Sequence, residues 1–197
     1  MDDGKTLDAK VIGTDEKTDL ALLKISETGD YPFVKLSKDM PRVGDWVVAI
    51  GNPFGLGGTV TAGIVSAEGR DIGSGPYDSF LQIDAPINKG NSGGPTFNLK
   101  GEVVGVNTAI FSPSGNSVGL GFAIPASTVE GVVASLEHRA GRGCLDRFPR
   151  TISGVLPGLL SLPHRGGTKG GRSPTGGPTP MRRGNFHAAA AIGVGSK

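Results

Sequence analysis

The chain reads as an all-β protein closed by a single helix. Three observations carry that reading: short runs rich in β-forming residues between Ala9 and Ala126, a turn-forming breaker after each run, and one stretch of helical periodicity beyond Pro125. The runs are too short for helices and too closely spaced to hold crossover helices between parallel strands. Antiparallel pairing in a barrel or sandwich is therefore expected.

In chain order the expected strands are Leu20 to Ile25, Trp46 to Ile50, Thr59 to Val65, Phe80 to Ile83, Val103 to Ile110 and Gly121 to Ile124. Breakers include Gly51-Asn52-Pro53, Gly69, Asp84-Ala85-Pro86, Ser112-Pro113-Ser114-Gly115 and Pro125. The helix is expected over Ser127 to His138. Ser127 or Thr128 stands at its start as a cap, Glu130 falls in the first turn, and Val129, Val132, Val133 and Leu136 make one apolar stripe.

Charge divides the chain. Residues 1 to 138 hold 10 Lys+Arg against 17 Asp+Glu, whereas residues 139 to 197 hold 10 basic residues and one acid. The second segment, rich in Gly, Arg and Pro, offers only Ile152 to Leu162 as an apolar patch, and Arg165 to Pro180 is of low complexity. Its composition matches GC-rich codons translated out of frame, so a disordered or frameshifted tail is expected. A basic, flexible tail also raises nucleic-acid binding, but Phe148 and Phe186 are its only aromatics for stacking, and no nucleic-acid partner is expected.

Cys144 is the sole cysteine, which excludes an intrachain disulfide. The acidic start, Met1-Asp2-Asp3-Gly4-Lys5, lacks the apolar core of a signal peptide, and no apolar run approaches a membrane span. Glycine clusters at Gly55 to Gly58 and Gly69 to Gly75 precede no helix, so they read as loops and not phosphate cradles. No His/Cys/Asp cluster has metal-ligand spacing, and neither metal nor cofactor is expected.

The sharpest feature is Gly90-Asn91-Ser92-Gly93-Gly94-Pro95. Glycines around a serine let the backbone turn tightly and expose the hydroxyl beside backbone N–H donors, foremost those of Gly90 and Ser92, the makings of an oxyanion hole. A polar glycine turn between strands would look the same in isolation.

Further segments decide between the two. Asp8-Ala9-Lys10-Val11-Ile12-Gly13, Thr18-Asp19-Leu20-Ala21-Leu22-Leu23-Lys24-Ile25, Gly51-Asn52-Pro53-Phe54-Gly55, Thr61-Ala62-Gly63-Ile64-Val65-Ser66, Gln82-Ile83-Asp84-Ala85, Asn88 through Pro95 and Gly119 through Pro125 occur in an order and spacing that resemble the HtrA/DegP family of trypsin-like serine endopeptidases. The resemblance covers residues 4 to 138. It implies a chymotrypsin-like double β-barrel, with residues 1–45 a remnant of the first barrel, 46–126 the second, and 127–138 the helix.

The same resemblance makes Ser92 the nucleophile, Asp19 the triad carboxylate that orients a histidine, and Gly90, Asn91 and Ser92 the oxyanion hole. Pro86 stands six residues before the nucleophile, at the expected base of the specificity pocket, with Ile87 beside it. A pocket of Ile87, Ile110 and Leu120 holds no carboxylate, so cleavage after small aliphatic residues such as Val or Ala is expected. Family membership implies exported quality-control proteases, periplasmic in location, that cut unfolded polypeptides and assemble as trimers or larger cages; as written, with no signal peptide, the chain is expected to stay in the cytoplasm.

One partner is missing. A serine hydroxyl needs a base within hydrogen-bond reach, and the family's chain order is His, Asp, Ser. His138, His164 and His187 all follow Ser92, and none precedes Asp19. His138 reads as a helix C-terminal residue facing the dipole. The expectation is a serine endopeptidase by family that is inactive as this chain, with early first-barrel strands and the downstream peptide-binding PDZ domains absent and strand edges left open. A non-catalytic polypeptide-binding remnant is the alternative, and a basic-tailed nucleic-acid binder the more remote one.

Overall fold

The computed structural model describes residues 6–29, 31–52, 58–72, 79–88, 90–112 and 117–140, together with the backbone of 190–194. Elements follow as β1 (Ala9–Asp15), β2 (Leu20–Ile25), β3 (Trp46–Gly51), β4 (Thr59–Arg70), β5 (Phe80–Ile83), β6 (Pro95–Phe97), β7 (Val103–Ile110), β8 (Gly121–Pro125), α1 (Ala126–Arg139) and β9 (Ala190–Val194). Strands β3 to β8 close into a barrel in the order β3-β4-β5-β8-β7-β6. Every pairing within it is antiparallel.

Outside the barrel, β1 and β2 form an antiparallel pair and β9 lies parallel to β2 on its other side. The all-β class, a closed barrel and the single helix after it stand as expected. Strand β9 arises in the segment for which the sequence suggests no element. Its backbone supplies partners for Leu20 to Lys24, groups that would otherwise face out along an open edge.

Two strands escape a reading by periodicity for local reasons. In β1 the register shifts between Val11 and Gly13, so Ile12 is an extra residue and the alternation breaks. Strand β6 is three residues long and opens on a proline. The helix also departs from expectation at its start: Pro125 occupies the N-cap, no side chain caps it, and Ser127 and Thr128 lie inside it. No acid falls in its first turn. The expected stripe holds, with Val129, Val133 and Leu136 buried and Val132 packed at the margin.

Two apolar clusters hold the molecule. One fills the barrel with Val47, Ala49, Val65, Ile83, Ala85, Ile87 and Val104. The other joins Leu20 and Leu22 of β2 to Val103 and Val106 of β7, Ile124 of β8 and the buried face of α1. Strand β7 serves both, which explains its unbroken apolar run: the barrel interior covers one face and the β2/α1 layer the other. A register shift between Thr96 and Phe97 of the partner strand turns Val103 and Val106 toward the same cluster. Each fully buried Leu or Val contributes about 1.5–3 kcal/mol relative to exposure. This shared core fastens β2, and the Asp19 that immediately precedes it, to the barrel.

Several expectations fall outside the described residues: Pro53 to Gly55 of the Gly-Asn-Pro-Phe-Gly motif, Lys89, and the stretch 141–189 with Cys144, His164 and His187.

Candidate active site

The serine loop runs from the end of β5 into β6. Gly90 and Gly93 hold φ of 102° and 84°, the left-handed region that disfavours a side chain. Between them the chain reverses, and Asn91 turns inward, 2% exposed, while Ser92 stays partly exposed.

Hydrogen bonds sort the loop's amides. Asn91 N–H donates to the Asn88 carbonyl at 3.0 Å, Gly93 N–H to the Asn107 carbonyl at 2.7 Å, and Gly94 N–H to the Asn91 carbonyl at 2.9 Å. Asn107 in turn donates its N–H to the Gly94 carbonyl at 2.9 Å, and Asn52 donates to the Gly90 carbonyl at 3.2 Å. The N–H groups of Gly90 and Ser92 have no acceptor among the described residues. Of the three residues expected to form an oxyanion hole, Gly90 and Ser92 thus keep their donors available. The Asn91 donor is engaged within the loop.

Side chains brace the same segment. The Asn91 amide nitrogen reaches the Pro86 carbonyl at 3.4 Å, and Thr61 Oγ1 donates to that carbonyl at 3.0 Å. Asp84 Oδ1 accepts the Ile64 N–H at 2.6 Å, and the Asp84 N–H returns to the Ile64 carbonyl at 3.2 Å. These bonds tie the approach to Ser92 onto β4, a strand that pattern reading places but to which it assigns no part in the site.

Pro86 is exposed, whereas Ile87 is 1% exposed and belongs to the barrel core. Of these two neighbours, only Ile87 joins the core. Ile110 packs against the same cluster, and its register partner Gly121 lies against Ile87, whose Cγ1 is 2.9 Å from where a β-carbon on Gly121 would sit. Leu120, half-buried, accepts the Phe111 N–H through its carbonyl at 3.0 Å. Ile110 and Ile87 thus both meet Gly121, the residue after Leu120, at one end of β7 and β8.

Asp19 ends the turn between β1 and β2 with φ of 57°, the only non-glycine described in the left-handed region. That conformation is uncommon and costs on the order of 1 kcal/mol or more, though Asp tolerates it better than most residues. Thr18 Oγ1 donates to Asp15 Oδ2 at 2.7 Å, closing the turn. Asp19 and Ser92 share a scaffold: Leu20 packs in one cluster with Val106, and the next residue, Asn107, grips Gly93 and Gly94.

His138 lies exposed in the last turn of α1. Among the described residues no group of three His, Cys, Asp or Glu could hold a metal ion, and no helix is long and apolar enough to cross a membrane. The residues sequence reasoning missed are Asn107, Thr61 and Asn88. Asn107 did leave a signal, as a polar residue inside the apolar run Val103 to Ile110.

Known proteins agree with this architecture. The profile of the trypsin-like peptidase domain matches residues 1–106. A protein of Rhizobium meliloti (strain 1021) named a probable periplasmic serine endoprotease DegP-like is 67% identical over 170 residues, 85% of this chain and 34% of the relative, a match that continues past residue 138. A protein of the same name from Bartonella henselae is 68% identical over 137 residues, 69% of this chain and 27% of the relative. Among solved structures, an HtrA-type protease AlgW with decapeptide superposes with a TM-score of 0.67 at 48% identity, over 70% of this chain and 43% of that one. The chain spans between about a quarter and a third of the length of these curated relatives. By profile, by sequence and by fold, the chain belongs to the family of trypsin-like peptidase domains, within its HtrA/DegP-like group.

Proposed function

We propose that this chain carries the nucleophile, oxyanion donors and triad carboxylate of an HtrA-type serine endopeptidase that cuts unfolded polypeptides. The observation that supports it most directly is the division of the loop's N–H groups. Those of Gly90 and Ser92 meet no acceptor among the described residues, while their neighbours are engaged in holding the loop. In the reaction, Ser92 Oγ attacks the scissile carbonyl, and the oxygen that gains charge is met by these two donors. The C–N bond then breaks, and the amine leaves with the proton that a base took from Ser92. Asp19 orients and charge-compensates that base. Each preorganised donor is worth about 3–4 kcal/mol of transition-state stabilisation.

The base is a histidine in this mechanism, and His138 sits at the far end of α1. Among the described residues His138 is the only histidine, so these residues by themselves bring no such base to Ser92 and are expected to be inactive in peptide hydrolysis. The pocket of Ile87, Ile110 and Leu120 selects small aliphatic residues before the cleaved bond.

Self-association fits the outer face of the β3–β4 ribbon. Trp46, Val48 and Ile50 pair in register with Ile64, Ala62 and Val60, and Trp46 and Val60 are 59% and 64% exposed. An exposed apolar ribbon of this kind supports contact between copies, in keeping with the trimers the family resemblance implies. A periplasmic site of action follows the names of the relatives.

Chemical rescue tests the reading. A fluorophosphonate should label Ser92 negligibly in buffer and measurably with free imidazole, which supplies the base from solution, and Ser92→Ala should abolish the label. Absence of imidazole-dependent labelling at Ser92 in folded protein would refute the assignment. Cleavage after Arg in preference to Val, in the domain completed with a histidine-bearing segment, would refute the pocket.

A further inference from the structure

Asn107 puts a primary amide into the apolar run of β7, and the side chain is completely buried, as is that of Thr96. Thr96 Oγ1 donates to Asn107 Oδ1 at 2.6 Å, a short side-chain bond from β6 to β7. The Asn107 Nδ2 has no partner among the described residues. A buried amide with one half unpaired is less favourable to the core than a leucine of similar size. Stability of the barrel therefore does not account for it.

What the pair does account for is the position of the loop. Strand β6 starts at Pro95, directly after the serine loop, and lasts three residues beside a register shift between Thr96 and Phe97. So short a strand next to a bulge specifies its own register weakly. The backbone of Asn107 is also the anchor of the loop, accepting from Gly93 at 2.7 Å and donating to Gly94 at 2.9 Å. One residue thus holds the loop through its main chain and the following strand through its side chain.

We propose that Thr96 and Asn107 are positioning residues for Ser92: their side-chain bond pins β6 on β7 and so sets where the Ser92 hydroxyl and amide stand. This rests on Ser92 being the nucleophile. The pin acts on geometry and takes no part in proton transfer.

The test compares Thr96→Val, Thr96→Ser and Asn107→Leu in the full chain. Imidazole-assisted fluorophosphonate labelling of Ser92, measured well below each variant's urea midpoint, should fall about tenfold in T96V and N107L, since small displacements of a reacting group carry large rate penalties. The T96S variant should recover the parental rate. The double variant T96V/N107L, which removes both halves of the buried pair, should match or exceed the parent's urea midpoint, an outcome that a merely structural role for the pair would reverse. Parental labelling rates in both T96V and N107L would overturn the proposal. Amide hydrogen exchange at Gly93 and Asn107, followed by NMR, decides the pin independently of chemistry: faster exchange in T96V restored in T96S supports it, and unchanged exchange overturns it. Loss of labelling in the parent itself counts against the nucleophile and leaves the exchange result standing.

Discussion

The side-chain oxygen of Asn88 accepts the Ser117 N–H at 3.2 Å, which ties the connection between β7 and β8 to the segment leading into Ser92. The carbonyl of the same residue accepts the Asn91 N–H at 3.0 Å. Asn88 therefore joins the β7–β8 connection to the serine loop.

Replacing Asn88 with Ala should release the 111–120 loop and lower imidazole-assisted labelling of Ser92 about tenfold, with a stability loss of only about 1 kcal/mol for one hydrogen bond. Asn88→Asp keeps an acceptor toward Ser117 and should restore most of the rate. Equal rates in N88A and parent would show that the two loops are uncoupled.

Gly51 faces Asn91 so closely that a β-carbon there would stand 2.7 Å from the Asn91 α-carbon and 2.9 Å from its Cγ. Both are shorter than any relaxed carbon contact, so Gly51→Ala must push the loop aside. The expected cost is about 1–3 kcal/mol in urea unfolding. A loop displaced by about 1 Å should label roughly a hundredfold more slowly.

Leu22 is 1% exposed in the cluster that binds β2 to β7 and α1. Leu22→Ala should destabilise the chain by about 2–5 kcal/mol, measured by chemical denaturation. A change below that range would mean that β2 is not fastened to the barrel by this core.

Asp45 opens β3 from a turn in which the Arg42 N–H donates to its Oδ2 at 2.8 Å, with the Arg42 guanidinium 3.5 Å from Oδ1. This backbone donor first, and the nearby positive charge second, hold the Asp45 carboxyl below its usual range. A carboxyl lowered in the folded state contributes stability above its unfolded pKa and loses it as pH falls through the folded value. The gap between denaturation midpoints at neutral and acid pH should be smaller in Asp45→Asn. The pair is exposed, so the difference should be small and diminish in high salt.

Much of the fold was legible because it is local. Val47 and Ala49 are buried while Val48 and Ile50 turn outward, the alternation that a half-buried strand imposes, and the helical stripe through Val129, Val133 and Leu136 faces the core. The cap was not legible, because Ser127 and Thr128 qualify by residue type, whereas the boundary is set by Pro125, the end of β8. The short strand β6 was hidden for the opposite reason: nothing in Pro95-Thr96-Phe97 marks a strand until β3 and β7 flank it.

By itself the sequence determined a β-rich domain ending in one helix, a serine set among glycines, and a family whose order of motifs surrounds it. Those features depend on residue type, short-range spacing and backbone freedom, all of which are written along the chain. Only the tertiary structure decided that the Gly90 and Ser92 N–H groups meet no acceptor among the described residues while that of Asn91 does, that Ile87 is buried in the core and Pro86 exposed, and that Asn107 holds both the loop and Thr96. Hydrogen-bond partners and burial are settled by residues distant in sequence meeting across strands, and no local pattern specifies which of them meet.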